Sequence, residues 1–351
     1  MFMTLALVGC ISAPVAQAQS TVPHRIVVGH ASIATNKPQA YTLSQALDQH
    51  GRPIGYSMEV DSVVCTDDLC KVVKVTMNWD ALGAYQRYAL AGGTVLEKAR
   101  IDKEAPSRTN QNWAAFTPAD HAKLHHILRD TASVLRTERI ADLTGYRDKS
   151  RVDGVTGATP LTLKEAVVEG AALSSYHLWH WANGEVVEAA RELTHLHCSE
   201  DLLRSFLDRD EPHYVRFALE HLRRHKLFNP LLVSAVIEGM SSGDDDWIEL
   251  GLAYLRSAIP DTDAFHDKLA GLFAASKGRG RVYLLGVLDS EKTISGAHFD
   301  KMSVGLKDTE TYYELHLFLN LVEKHKHGSK QMLALATSLL EGENFFVARR
   351  A

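Results

Sequence analysis

The chain has no Cys-x-x-Cys, no Cys-x-x-Cys-His, no block of lysine and arginine, and past its first twenty positions no run of 18 uninterrupted apolar residues. The last absence leaves no segment that reads as a membrane-spanning helix. The missing cysteine motifs speak against a redox dithiol and against c-type haem attachment. Without a basic block, and at a net charge of −5, nothing in the sequence would track a phosphate backbone, so nucleic-acid binding is not expected. No paired carboxylates and no Ser/His/Asp arrangement call for a hydrolase. What is present is ordinary for a core-forming protein: 45% apolar and 23% charged residues over 351 positions, enough for about two domains. Eighteen histidines are plentiful but scattered, mostly within helical patterns.

The first residues read as an export signal. Leu5 to Val8 is a short apolar core, and Ala16-Gln17-Ala18 supplies an Ala-x-Ala cleavage site before Gln19. A second reading stays open, because Leu7-Val8-Gly9-Cys10 resembles a bacterial lipobox that would leave Cys10 as a lipidated, membrane-anchored terminus. Either way the expected location is outside the cytoplasm, in a periplasmic or similar compartment.

From Val22 to Asp48 the pattern is mixed, with one helix-like run at Thr42–Leu47. Met58 to Val64 and Lys71 to Met77 are β-branched strand candidates. Between them stand Cys65 and Cys70, which in an oxidising compartment read as a disulfide clasping a hairpin. Trp79 to Tyr85 is a strand end and turn. Pro118 to Leu135 has the helical spacing, with Leu124, Ile127, Leu128 and Leu135 on one apolar face. His121, His125 and His126 on that helix read as a solvated face, since position 122, where a zinc-protease helix carries Glu, is Ala. Tyr176 to Trp181 reads as core aromatics, and its His177/His180 pair has a second reading as a contact to a flavin edge or a metal.

The stretch Asp153-Gly154-Val155-Thr156-Gly157-Ala158-Thr159 is the strongest chemical signal. Its glycines and alanine make a tight backbone with little bulk, ending in a hydroxyl. Pro160 and the box Thr162-Leu163-Lys164-Glu165 follow, so a helix is expected to start here and run on through Trp181. Chemistry alone gives a turn, a helix start and a possible anion site; Asp-Gly and Thr-Gly also make turns with no further role.

The stretch resembles the flavinylation motif of the FMN-binding domain family, Asp-x-x-Ser/Thr-Gly-Ala-Thr. That family includes covalent FMN carriers of the sodium-translocating NADH:quinone reductase and of the related Rnf complex. The resemblance implies FMN joined through its phosphate to the hydroxyl of Thr159 by a flavin transferase that uses FAD. It also implies that Asp153, Thr156, Gly157 and Ala158 are the other fixed positions of the cofactor site. Pro160 directly after the Thr departs from the usual pattern. The accompanying segments fit an exported subgroup: Trp79 to Gly83, then Leu96-Glu97-Lys98, then Phe116-Thr117-Pro118-Ala119-Asp120. The likeness covers about residues 58–182.

From Glu188 onward the texture is helix after helix. Tyr214, Trp247 and Tyr312 each open a unit behind an acidic cap; the first two stand 33 positions apart and the last two 65, with a weaker unit near Tyr283 between them. A period in the thirties reads as an αα-repeat array of HEAT type, the other reading being an irregular helical bundle. Cys198 reads as a buried, inert thiol.

The expected layout is a signal at 1–18, an α+β FMN-binding domain at 24–187 and an all-α HEAT-like repeat domain at 188–351. The expected function is an exported flavoprotein, a redox-complex component carrying electrons through covalent FMN. Its expected partners are a flavin transferase, a redox partner or membrane electron-transfer complex, and a protein bound by the repeats. The alternative is a non-enzymatic helical-repeat interaction protein whose FMN-binding domain is idle or reversible.

Overall fold

A computed structural model describes residues 18–30, 37–66, 69–99, 113–139, 161–209, 211–242, 245–306, 311–341 and 345–350. The chain forms an antiparallel sheet followed by helices, an α+β layout and then an all-α one, in two compact units, Met1–His197 and Cys198–Ala351. No helix among the described residues is long and apolar enough to cross a membrane.

The first unit is built on a five-stranded antiparallel meander: β1 (Ser20–Val28), β2 (Gln39–Leu47), β3 (Pro53–Thr66), β4 (Leu69–Asp80) and β5 (Tyr85–Leu90), paired in that order. Alternation sorts its two faces. Leu43, Tyr56, Met58, Val60, Val75, Met77 and Trp79 are buried, while Glu59, Asp61, Lys74 and Thr76 between them are exposed. The two strands expected from sequence are the centres of β3 and β4. Their register sets Cys65 directly opposite Cys70, a placement whose Cα separation suits a disulfide.

Two expectations are corrected here. Thr42–Leu47 belongs to strand β2, not to a helix. Leu43 and Leu47 four apart fit either period, and the alternation was hidden because the buried residue between them is polar Gln45. Gln45 is satisfied: its amide donates to Tyr56 Oη at 2.9 Å and its carbonyl takes His24 Nε2 at 2.9 Å. Tyr56 Oη in turn meets Thr194 Oγ1 at 2.7 Å, and Thr194 donates to the Ala81 carbonyl. This chain of four side chains ties three strands to the last helix of the unit, and each of its buried polar groups has a partner.

The second correction concerns helices. α1 (Pro118–Arg129) opens on a reciprocal capping box between Thr117 and Asp120 but stops short of Leu135. Asp130 turns the chain with its carboxylate on Ala132 N and gives its backbone carbonyl to the Trp179 indole. Past the motif the expected single helix is two: α2 (Leu161–Glu165) and α3 (Ala172–Asn183). Between them Gly170 takes φ +77°, and a Cβ there would lie 2.2 Å from the Ala99 carbonyl. Only glycine fits that close approach in the left-handed region. Leu161 and Thr162 are already helical, so Thr162 is not the cap it was read as. α4 (Glu185–Leu196) closes the unit.

The second unit is a regular series: α5 (Glu200–Leu207), α6 (Pro212–Arg224), α7 (Pro230–Ser242), α8 (Asp245–Ala258), α9 (Thr262–Ala275), α10 (Arg279–Asp289), α11 (Gly296–Ser303), α12 (Tyr312–Lys324), α13 (Lys330–Leu340) and α14 (Phe345–Arg350). The even-numbered helices from α6 onward begin 33, 34, 33 and 33 residues apart. Each helix packs on the helix two further along, α5 on α7, α6 on α8, and so to α12 on α14. One corner recurs three periods apart. Lys226 and Lys326 sit at φ 54° and 52°, and behind them Leu227 N reaches the Leu222 carbonyl as His327 N reaches that of Val322, the bonding of a Schellman stop. Asn229 and Ser329 then cap the following helices through Leu232 N and Met332 N.

The third residue of the even-numbered helices makes a column: Tyr214, Trp247, Arg281, Glu314, Val347. Trp247 lies flat on Gly239, where a Cβ would meet its ring at 2.2 Å. In the next two repeats the apolar pattern gives way to a buried ion pair, Arg281 Nη1 to Glu314 Oε2 at 3.3 Å, both side chains under 8% exposed. Removing one partner strands a buried charge, whereas replacing both restores the apolar column. Glu314→Ala should therefore cost about 3–5 kcal/mol, and Arg281→Met with Glu314→Leu should recover most of it. Urea unfolding followed by circular dichroism reads both.

Candidate functional site

The seven motif residues, Asp153, Thr156, Gly157, Ala158 and Thr159 among them, lie outside the described residues, as does Pro160. The structure does describe the segments that the resemblance groups with the motif. Trp79 to Gly83 is a tight turn: Asp80 Oδ1 accepts from Leu82 N at 2.8 Å and from Ala84 N at 2.9 Å. Gly83, at φ +84°, presses against the Val187 backbone. The Trp79 indole donates to the Ala182 carbonyl at the end of α3.

The second and third segments are brought together. β6 (Glu97–Ala99) pairs with β7 (Trp113–Ala115), and Phe116 N donates to the Leu96 carbonyl. Lys98 Nζ then reaches Asp120 at 2.7 Å. Burial pushes the Asp120 carboxyl upward, but the bonds from Lys98 and from the Thr117 backbone and hydroxyl outweigh it and hold the group below the usual carboxylate range. The chain that follows the motif returns to this same place. Ala99 N donates to the Gly170 carbonyl at 2.7 Å, and Lys123 Nζ to that of Lys164 at 3.2 Å. Val167, Val168 and Ala171 are buried there. Lys98 and Lys123 thus lie beside the chain on the far side of the motif. This arrangement was not legible in the periodicity, because β6 and β7 are three residues each and their pairing is fixed by tertiary contacts.

His121 and His125 are not the bare solvated face the sequence suggested. Each is held through Nδ1 by a tyrosine of β5: Tyr88 Oη to His121 at 2.5 Å and Tyr85 Oη to His125 at 2.8 Å. Burial pushes both phenols up, Tyr88 to about 12, so the hydroxyls keep their protons. The signal that would have found these pairs is the spacing of the two tyrosines against that of the two histidines, which becomes readable only with the β5–α1 contact known.

His177 and His180 meet a third imidazole, His30, which sequence reasoning passed over. The His30 ring lies 5.8 Å from His177, 6.1 Å from His180 and 4.2 Å from the Trp181 ring. His30 Nε2 donates to the His177 carbonyl at 3.0 Å, while His180 Nε2 is buried with no hydrogen-bond partner among the described residues. Burial dominates all three and favours the neutral ring. His30 is lowered to about 4 and His177 to about 3, in each case with the neighbouring imidazoles pushing further down, and His180 is lowered as well.

In the second unit, burial raises the Cys198 thiol to about 12, so it is protonated at neutral pH.

Compared with family models, curated proteins and solved structures, the chain finds no match in any of the three.

The histidine cluster gives a pH dependence of fixed sign. A histidine depressed in the folded state takes its proton in the unfolded state first, so its contribution is complete above about pH 6.5 and is lost as pH falls towards the folded value. His30 and His177 should each remove about 2 kcal/mol of stability between pH 6.5 and pH 5. Urea midpoints at those two pH values should differ less in His177→Gln than in the native chain; an unchanged difference would show that His177 is protonated in the fold.

Proposed function

We propose that this protein is an exported electron-carrying flavoprotein whose FMN is joined by a phosphoester bond to the Thr159 hydroxyl. The observation that carries the reading is the meeting of the segments that accompany the motif in the family pattern. Trp79–Gly83, Leu96–Lys98 and Phe116–Asp120 accompany Asp153–Thr159 in the family pattern. Lys98–Asp120 joins two of these segments, and Ala99–Gly170 and Lys123–Lys164 pin the chain that follows the motif to the same place.

FMN bound in this way supplies one- and two-electron transfer at its ring; the protein supplies the tether, the orientation and the surroundings that set potential. Asp153, Thr156, Gly157 and Ala158 are, by the resemblance, the other fixed positions of the motif whose Thr159 a flavin transferase modifies. A covalent tether suits a compartment in which lost FMN is not readily replaced. Cys65 and Cys70, opposite one another in the β3–β4 hairpin, would close as a disulfide in the same compartment. A HEAT-like role for α5–α14, docking a redox partner or membrane complex, is favoured by the 33–34-residue spacing of its helices. That same spacing favours the alternative, an interaction protein with an idle FMN-binding domain.

Thr159→Ala removes the only oxygen through which the ester can form, while costing the fold no more than a lost cap, about 1 kcal/mol. Mass spectrometry of denatured protein after co-expression with a flavin transferase should find one FMN minus water on the Thr159 peptide of the native chain and none on Thr159→Ala. Thr156→Ala should lower the yield without abolishing it. A native chain without adduct, beside an active transferase, would hand the function to the interaction reading.

A further inference from the structure

We infer that His121 and His125 form a two-imidazole chelate for a divalent transition-metal ion, of the copper, nickel or zinc type. The inference stands apart from the flavin reading, since it uses only α1 and β5. Residues four apart on a helix lie one above the other on the same face, and a metal bound by two such imidazoles spans one helical turn.

Spacing alone leaves the rings free to turn; here they are not. Tyr88 and Tyr85 hold the two Nδ1 atoms at 2.5 Å and 2.8 Å. The His125 ring stacks on Tyr88 with centroids 4.6 Å apart and planes 20° off parallel, and Phe116 lies edge-on to His121 at 5.4 Å. With Nδ1 engaged, Nε2 is the ring atom left to each histidine, and among the described residues neither Nε2 has a hydrogen-bond partner. Fastening the non-ligating nitrogen is what metal-binding histidines require of their surroundings, because it fixes ring orientation and tautomer. A phenol hydroxyl serves both states. It donates to Nδ1 in one tautomer, and accepts from Nδ1–H in the other, leaving the lone pair on Nε2.

The charges around the pair decide how strongly it binds. Arg129, which donates to the Gln86 carbonyl, is the opposing cation on α1, and Lys123 is turned to the Lys164 carbonyl. Asp120 is engaged by Lys98 and supplies no third ligand. Two protein donors leave the remaining positions to water or an incoming ligand. Copper(II) should bind tightest, as the order of divalent metals on nitrogen donors requires.

The test uses the full chain without a histidine tag. Copper(II) is titrated in and followed by electron paramagnetic resonance, then zinc by calorimetry. One equivalent should bind with nitrogen hyperfine coupling from two imidazoles. His121→Gln and His125→Gln should each weaken binding about tenfold or more, and Tyr88→Phe should weaken it while keeping one equivalent. Unchanged affinity and spectrum in the His121→Gln/His125→Gln double variant, or no copper retained by the native chain, would overturn the site. A second measurement needs no variant. Bound zinc should shield both imidazoles of the native chain from diethyl pyrocarbonate, as read by peptide mass, and equal labelling with and without zinc would overturn the site as well.

Discussion

The first unit depends on one helix that is buried over most of its circumference. α3 carries buried Ser174, Ser175, Tyr176, Leu178, Trp179, Trp181 and Ala182, while the stripe Leu173, His177, His180 is partly exposed. It lies across β3 and β4, against α1 and against α4. Its contacts are as much polar as apolar. The Trp79 indole donates to the Ala182 carbonyl, the Trp179 indole to that of Asp130, Asn183 to that of Leu128 and Ser174 to that of Val63. Three of these bonds satisfy a backbone carbonyl in a neighbouring element and the one from Trp79 satisfies a carbonyl of α3 itself, so together they locate α3 more sharply than apolar burial would. The chain that follows the seven-residue motif, from Leu161 on, leads into this helix.

Three histidines of the first unit that pack against aromatic rings are each held by a second contact. His30 gives its N–H to a carbonyl, and His121 and His125 take phenols. This gives the imidazoles defined orientations and, for the buried one, a neutral state. The second unit holds itself differently, by repetition. Lys301 to Asp267 and Lys324 to Asp289 bridge helices two apart in the series at 2.8 Å, and Arg256 reaches Glu291 in the same manner. Arg281–Glu314 makes the same step inside the core, where it replaces an aromatic of the neighbouring repeats.

What was legible in the sequence had a strong period or a strong cap. The β3–β4 pair showed in its β-branched runs, α1 in the apolar face of Leu124, Ile127 and Leu128, and the array in its recurring aromatics. The missing pieces each have a physical cause. Strand β2 was masked by a buried glutamine whose partners come from β1 and β3. The break between α2 and α3 is imposed by the Ala99 backbone on Gly170, a contact 71 residues away in sequence. The repeat at α10 showed only weakly because Arg281 stands where the two preceding repeats place Tyr214 and Trp247. Of the candidate site, the motif was legible as seven residues; Lys98 and Asp120 came together only once β6 paired with β7.

The central claim is that this chain carries flavin covalently. The most direct measurement is ultraviolet fluorescence of the exported protein on a denaturing gel, after production with an active flavin transferase. The account predicts a yellow-green fluorescent band at the mass of the chain that survives boiling in detergent. A band that stains for protein but does not fluoresce, beside a fluorescent control carrier from the same cells, would contradict it.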